Sequence, residues 1–148
     1  MITKEALWQT IDEATIHFKS YKETFKRLSM LSQGYALCFA FHYVDAEIIN
    51  GGISQLYSNP TWSLVLAAIE ACHRAKSTKL EQILREVVLY YHQRDRSRLK
   101  RQLTEEFFAG IKRPMAKSLS ELEDEYNALD QEKGMVIPIL LSDESLWK

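Results

Sequence analysis

Residues 43–60 read Tyr43-Val44-Asp45-Ala46-Glu47-Ile48-Ile49-Asn50-Gly51-Gly52-Ile53-Ser54-Gln55-Leu56-Tyr57-Ser58-Asn59-Pro60. Apolar residues at helical spacing run up to Ile49, two glycines able to take positive φ follow, and Pro60 disfavours helix at Asn59. The stretch predicts a helix ending at about Ile49, a tight reversal, and a short turn or single helical piece over Ile53–Ser58. Pro60 or Thr61 then opens a new helix. Glu47, Asn50, Gln55 and Asn59 crowd this junction together with aromatics. Asn50 and Gln55 have a structural reason to be there, since they can satisfy backbone groups freed where a helix ends. Binding at the junction is the competing reading.

The same periodicity extends in both directions, with no alternating β-branched run bounded by hairpin turns. Upstream, Thr3 is placed to cap a helix bearing Leu7, Ile11, Ala14 and Phe18 on one face. Phe25, Leu28, Leu31, Tyr35, Cys38 and His42 carry the stripe into the quoted segment, with a break near Gly34 allowed. Downstream, a helix over Trp62–Ala75 shows a small-residue face. Thr78-Lys79-Leu80-Glu81 reads as a capping box opening a helix to about His92. Leu99, Leu103, Phe107 and Phe108 mark another helix, ended by Gly110 and Pro114. Ser118-Leu119-Ser120-Glu121 is a second capping box, opening a helix from Leu119 to about Glu132 with Gly134 as its stop. Met135 to Lys148 is open between a docked extended segment and a short final helix. The expected fold is all-α, a compact helical bundle of about six to eight helices forming one domain over residues 1–148.

Composition bounds the rest. The chain has 148 residues, 46% hydrophobic and 26% charged, with a formal net charge of −1. A chain of this size buries about two-thirds of its unfolded surface, enough for a core without disulfide or metal staples. Near-neutral balance argues against a strongly basic nucleic-acid binder and against a globally acidic polyanion. Charge is nevertheless segregated: residues 1–73 sum to −2, residues 74–117 to +7 and residues 118–148 to −6. Cys38 and Cys72 sit in apolar helical contexts, as buried thiols of a reducing compartment do. With no signal-peptide pattern and no apolar run long enough to span a bilayer, the expected address is cytoplasmic and no membrane partner is expected.

Several constellations compete with plainer explanations. Cys38, His42 and Asp45 follow one helical face and Cys72-His73 another, but neither pair has zinc-knuckle spacing, so a core role for the thiols outweighs a metal site. Glu70 and His73 form one Glu-x-x-His pair, where a di-iron bundle needs two. Gly52-Ile53-Ser54-Gln55-Leu56 lacks the final glycine of a nucleophile elbow, and no phosphate-cradling glycine loop exists. No catalytic residue, cofactor or metal is expected. The basic segment 94–101 puts Arg94, Arg98 and Arg101 on one face, yet it lacks interleaved aromatics and runs into Glu105-Glu106. A solvated face or internal pairing explains it better than direct nucleic-acid binding. Glu121, Glu123, Asp124, Glu125, Asp130 and Glu132 form its acidic counterpart. On one helix, Glu121 and Glu125 stand about 6 Å apart along the axis, close to the spacing of successive phosphates, and the row extends about 17 Å. Helix-dipole stabilisation is the plainer reason for acids near a helix start.

Glu47, Asn50-Gly51-Gly52, Ile53, Gln55, Tyr57 and Asn59 together resemble the signature of the bacterial DNA-mimic-protein domain family, otherwise a domain of unknown function. Leu122-Glu123-Asp124-Glu125-Tyr126 resembles the acidic-aromatic helix near the end of that domain. The resemblance covers about residues 25–133. It implies an all-α fold and, for the family's namesake, an acidic surface that imitates DNA and occupies the DNA-binding face of a transcription regulator. With a net charge of −1, a local acidic interface fits better than whole-surface mimicry. The expectation is a non-enzymatic protein-binding module that masks a basic surface of a regulator or nuclease. The carboxylates expected to bind are Asp45, Glu47, Glu121, Glu123, Asp124, Glu125, Asp130 and Glu132. An immunity or antitoxin protein neutralising a toxin is the alternative, a metal-dependent enzyme using Cys38, His42, Glu70 and His73 is remote, and a homodimer stays open.

Overall fold

The structure, a computed structural model, describes residues 2–94 and 117–148. Seven α-helices occur among them: α1 Lys4–His17, α2 Tyr21–Leu31, α3 Gln33–Ser58, α4 Val65–Arg74, α5 Thr78–Arg94, α6 Leu119–Asn127 and α7 Asp130–Ser142. Short 3-10 turns cover Pro60–Leu64 and Glu144–Leu146, and no strand occurs among the described residues. The all-α expectation holds. The expected helix through Leu99–Phe108 and the basic segment beyond Arg94 lie outside the described residues.

α3 is the axis of the bundle. Ala36–Phe41, Val44, Ile48, Ile53 and Leu56 are all buried along it, and α2, α4, α6 and α7 each pack on it. Leu7 and Ile11 from α1, Leu84 and Val88 from α5, Leu122 and Tyr126 from α6, and Leu140 from α7 join the same core. Such a helix, apolar over most of its circumference, is stable only when surrounded.

Helix starts follow local chemistry in part. Thr3 Oγ1 accepts from the Ala6 amide at 3.1 Å, Ser20 Oγ from Glu23 at 3.1 Å and Ser118 Oγ from Glu121 at 3.2 Å, each satisfying a first-turn donor. Thr78 does not cap α5. The helix begins at Thr78 itself, the Glu81 amide bonds to the Ser77 carbonyl, and the Glu81 carboxylate turns to Arg85 and His73, each at 3.0 Å.

Other boundaries move. The break expected near Gly34 falls at Ser32, which is fully extended (φ −165°, ψ 156°) and leaves Leu31 exposed. Phe18 lies just past the end of α1, and His42 is exposed rather than part of the buried stripe. The Trp62–Ala75 helix is split into a 3-10 turn and α4. The continuous acidic helix from Leu119 to Glu132 is corrected too: α6 stops at Asn127, and α7 starts at Asp130 and runs through Gly134 and Pro138. Gly134 is therefore no stop, and the acidic residues do not form one straight row. The new direction lets Lys133 point into the body of the fold, where its side chain is 7% exposed.

Candidate functional site

At the centre of residues 43–60 the chain bends without reversing. Gly52 alone takes a left-handed φ of 82° with ψ 178°, while Gly51 stays helical; α3 kinks and resumes rather than ending at Ile49. A kink of this kind strips the following amides of their partners four residues back. Glu123 of α6 supplies one replacement: its Oε1 accepts from the Ile53 amide at 2.6 Å. A Cβ on Gly52 would lie 2.5 Å from that same oxygen. The glycine thus meets both the backbone angle and the close approach.

Glu47, five residues before the kink, is a hub. Its Oε2 accepts from Gln55 Nε2 at 3.2 Å. Its Oε1 accepts from Asn59 Nδ2 and from Thr61 Oγ1, the latter at 3.2 Å. Thr61 is buried. Three neutral donors from beyond the kink thus converge on one carboxylate, tying the segment Ile53–Thr61 back to the first part of α3. A Cβ on Gly51 would overlap the Gln55 amide at under 2 Å, so Gly51 is needed for the approach of Gln55. Asn50 is exposed.

Asp45 is held as firmly. Its Oδ1 accepts from the Tyr126 hydroxyl at 2.7 Å and lies 4.0 Å from Lys133 Nζ. The ammonium also stands 4.7 Å over the Tyr126 ring and 3.2 Å from Asp130. Burial, with the Asp45 charge beside it, pushes the Tyr126 hydroxyl well above its usual range, so it stays a donor. Glu125 is paired with Lys117 at 2.6 Å. Of the eight expected binding carboxylates, Asp45, Glu47, Glu123 and Glu125 are therefore engaged within the fold and partly buried.

The remaining acids face outward. Glu121 and Asp124 are exposed one helical turn apart on α6, about 5–6 Å between Cβ atoms, with no partner among the described residues. Asp130 is 88% exposed even while touching Lys133, and Glu132 is half-buried. These four come from two helices joined at Ala128-Leu129.

Tyr126, Lys133, Thr61 and Lys117 were not singled out from sequence as parts of this network. Lys133 carried a signal, being the one cation between Ser118 and Trp147. The other three became partners only through the fold. The residues weighed for metal chemistry stay apart: Cys38 and Cys72 are buried, His42 packs its edge on Trp8 at 4.5 Å, and His73 faces Glu81. Among the described residues no group of three such side chains is placed to share an ion. No helix of the described residues is long and apolar enough to cross a membrane.

A family model described as DMP19-like protein matches residues 29–142. The match takes in the kinked α3, the Glu47 hub, Glu123 and the whole of α7. No curated protein and no solved structure matches the chain.

Proposed function

The chain belongs to the DMP19-like protein family, and from that premise we propose that it is a non-enzymatic protein-binding module whose outward carboxylates occupy the basic, DNA-binding surface of a partner protein. The observation that supports this reading is the division of labour among the acids. Asp45, Glu47, Glu123 and Glu125 are occupied by partners within the fold. Glu121, Asp124 and Asp130 are exposed on consecutive helices, and the first two have no partner among the described residues. Paired acids at one-turn spacing present negative charge at intervals like those of a phosphate backbone, and such charge speeds and selects association more than it adds affinity. The interface is local, consistent with a chain whose total charge is only −1.

The test compares wild type with the double substitution Glu121→Lys and Asp124→Lys as baits for host proteins. The expected result is a DNA-binding protein retained by wild type, released by salt and by competing duplex DNA, and lost with the double variant. A partner held equally by both baits, or indifferent to DNA, overturns the reading. A retained nuclease toxin whose active site the chain blocks would instead establish the immunity function.

A further inference from the structure

A cavity of about 390 Å³ opens where the turn between α1 and α2 meets α3 and the start of the Pro60–Leu64 turn. Small-molecule sites span roughly 300–1,000 Å³ and combine apolar walls with a few convergent polar groups. The walls here are Phe18, Tyr21, Tyr43 and Pro60, and other contacts hold them in place. The Phe18 amide donates to the Ala14 carbonyl at 3.0 Å, and the Arg27 guanidinium stands 5.3 Å over its ring. The Tyr21 ring lies 5.3 Å from Tyr43 and 6.2 Å from Phe39 between centroids. Asn59, just before Pro60, is tied to Glu47.

Two polar groups meet this aromatic space. Lys19 is exposed at its rim. No acid is among the residues that line the cavity, and no described carboxylate pairs with Lys19, whereas Arg74, Arg85, Lys117 and Lys133 are all paired. Thr24 lies deeper and is only 2% exposed. Its hydroxyl makes no hydrogen bond to a described residue. The oxygens of Ser32 and Ser77 also lack partners but are fully enclosed, while Thr24 keeps what surface it has on the cavity. A buried hydroxyl without a partner costs stability, and valine would fill the same volume without that cost. The packing of α2 therefore does not account for a threonine here. The start of α2 is not the source of this polarity, since Ser20 Oγ already accepts from the Glu23 amide at 3.1 Å. Burial, with Tyr21 and Asp12 nearby, raises the Tyr43 hydroxyl above its usual range, so it remains a donor.

We propose that this cavity binds a small aromatic carboxylate. The ring lies among Phe18, Tyr21, Tyr43 and Pro60, the Thr24 hydroxyl donates to the carboxylate, and the Lys19 ammonium closes over it. None of Glu121, Asp124 and Asp130 lines the cavity, so this site is separate from the acidic surface. Three probes share one ring system and differ in head group: 2-naphthoate, 2-naphthamide and 2-naphthylmethylamine. Amide chemical shifts of residues 18–24 and 43 are followed during titration of the full chain.

Saturable shifts are expected with the carboxylate, with the amide about threefold weaker and the amine weaker still. Lys19→Met, at an exposed position, should weaken carboxylate binding by about two- to fivefold and leave amide binding unchanged. Thr24→Val should weaken carboxylate binding by about three- to tenfold while the ligand-free protein unfolds at the same or a higher temperature. That split separates a ligand contact from a structural role. Shifts that fail to saturate in the millimolar range, equal binding of all three probes, or carboxylate binding unchanged in either variant would each overturn the proposal. So would a lower unfolding temperature for Thr24→Val, which would show that the fold itself uses the hydroxyl.

Discussion

Glu123 Oε1 accepts a 2.6 Å hydrogen bond from the amide of Ile53, so that a side chain of α6 caps a helix segment seventy residues earlier in the sequence. The bond exists because Gly52 turns left-handed immediately before Ile53. The kink in α3 and the packing of α6 on it are thus coupled through a single carboxylate.

Gly52→Ala is accordingly expected to be costly. An alanine at φ 82°, ψ 178° sits in a region open essentially to glycine and brings strain of about 1–3 kcal/mol, and its Cβ displaces the Glu123 carboxylate from its amide, adding about 1 kcal/mol or more. Thermal unfolding should fall by roughly 4–12 °C for a chain of this length. Glu123→Ala should show only the second component. Equal losses for the two variants would mean that the backbone angle carries no strain.

Glu47→Ala removes the acceptor for Gln55, Asn59 and Thr61 together. Leaving the buried Thr61 hydroxyl without it alone costs about 1–3 kcal/mol, so a loss of about 3 kcal/mol is expected from denaturant unfolding. Glu47→Gln keeps one acceptor oxygen but sets an amide donor against existing donors, and should recover less than half of that loss.

Tyr126 and Lys133 act on one carboxylate, Asp45, and their effects should not add. Tyr126→Phe and Lys133→Met should each destabilise by about 1–2 kcal/mol. The double variant should depart from their sum by at least about 0.5 kcal/mol in a double-mutant cycle. Strict additivity would show that the two side chains act independently.

One glycine lies inside a helix, and one lysine lies at a left-handed helix end where glycine fits better. Gly134 is exposed inside α7, and a Cβ there meets nothing within 4 Å, so Gly134→Ala should stabilise by about 0.5–1 kcal/mol. Lys76 takes a left-handed φ of 57° just past α4, where the Ser77 amide reaches back to the Cys72 carbonyl at 2.9 Å. This is a closing pattern that favours glycine, and Lys76→Gly should gain up to about 1 kcal/mol. Chemical denaturation of the two variants checks both signs.

Burial pushes the Cys38 thiol up to about 12 and raises Cys72 as well. The folded thiols should resist a disulfide reagent at pH 8 and react only on unfolding. For Cys38 the folded value lies above the ordinary 9.0. Its contribution to stability is therefore complete below about pH 9 and is lost as pH rises towards about 12, because only the unfolded chain releases that proton. Cys38→Ser should flatten this alkaline loss in equilibrium unfolding.

By itself, the sequence determined that this protein is helical, where most helices lie, and which turn is special. Helical spacing, capping hydroxyls at Thr3 and Ser118, and the Gly51-Gly52 doublet are local signals, and secondary structure formed over one or two turns is governed by local chemistry. The acidic side chains were legible as candidates for the same reason, since charge is a property of residue type. Tertiary structure alone decided which acids are available. Asp45, Glu47 and Glu123 look like Glu121 and Asp124 in one dimension, and differ only because Tyr126, Thr61 and the Ile53 amide reach them across the fold. The split between α6 and α7 has the same origin. A continuous Leu119–Glu132 helix satisfied every local rule, but burying Tyr126 and Lys133 around Asp45 requires a change of direction that no residue between them announces.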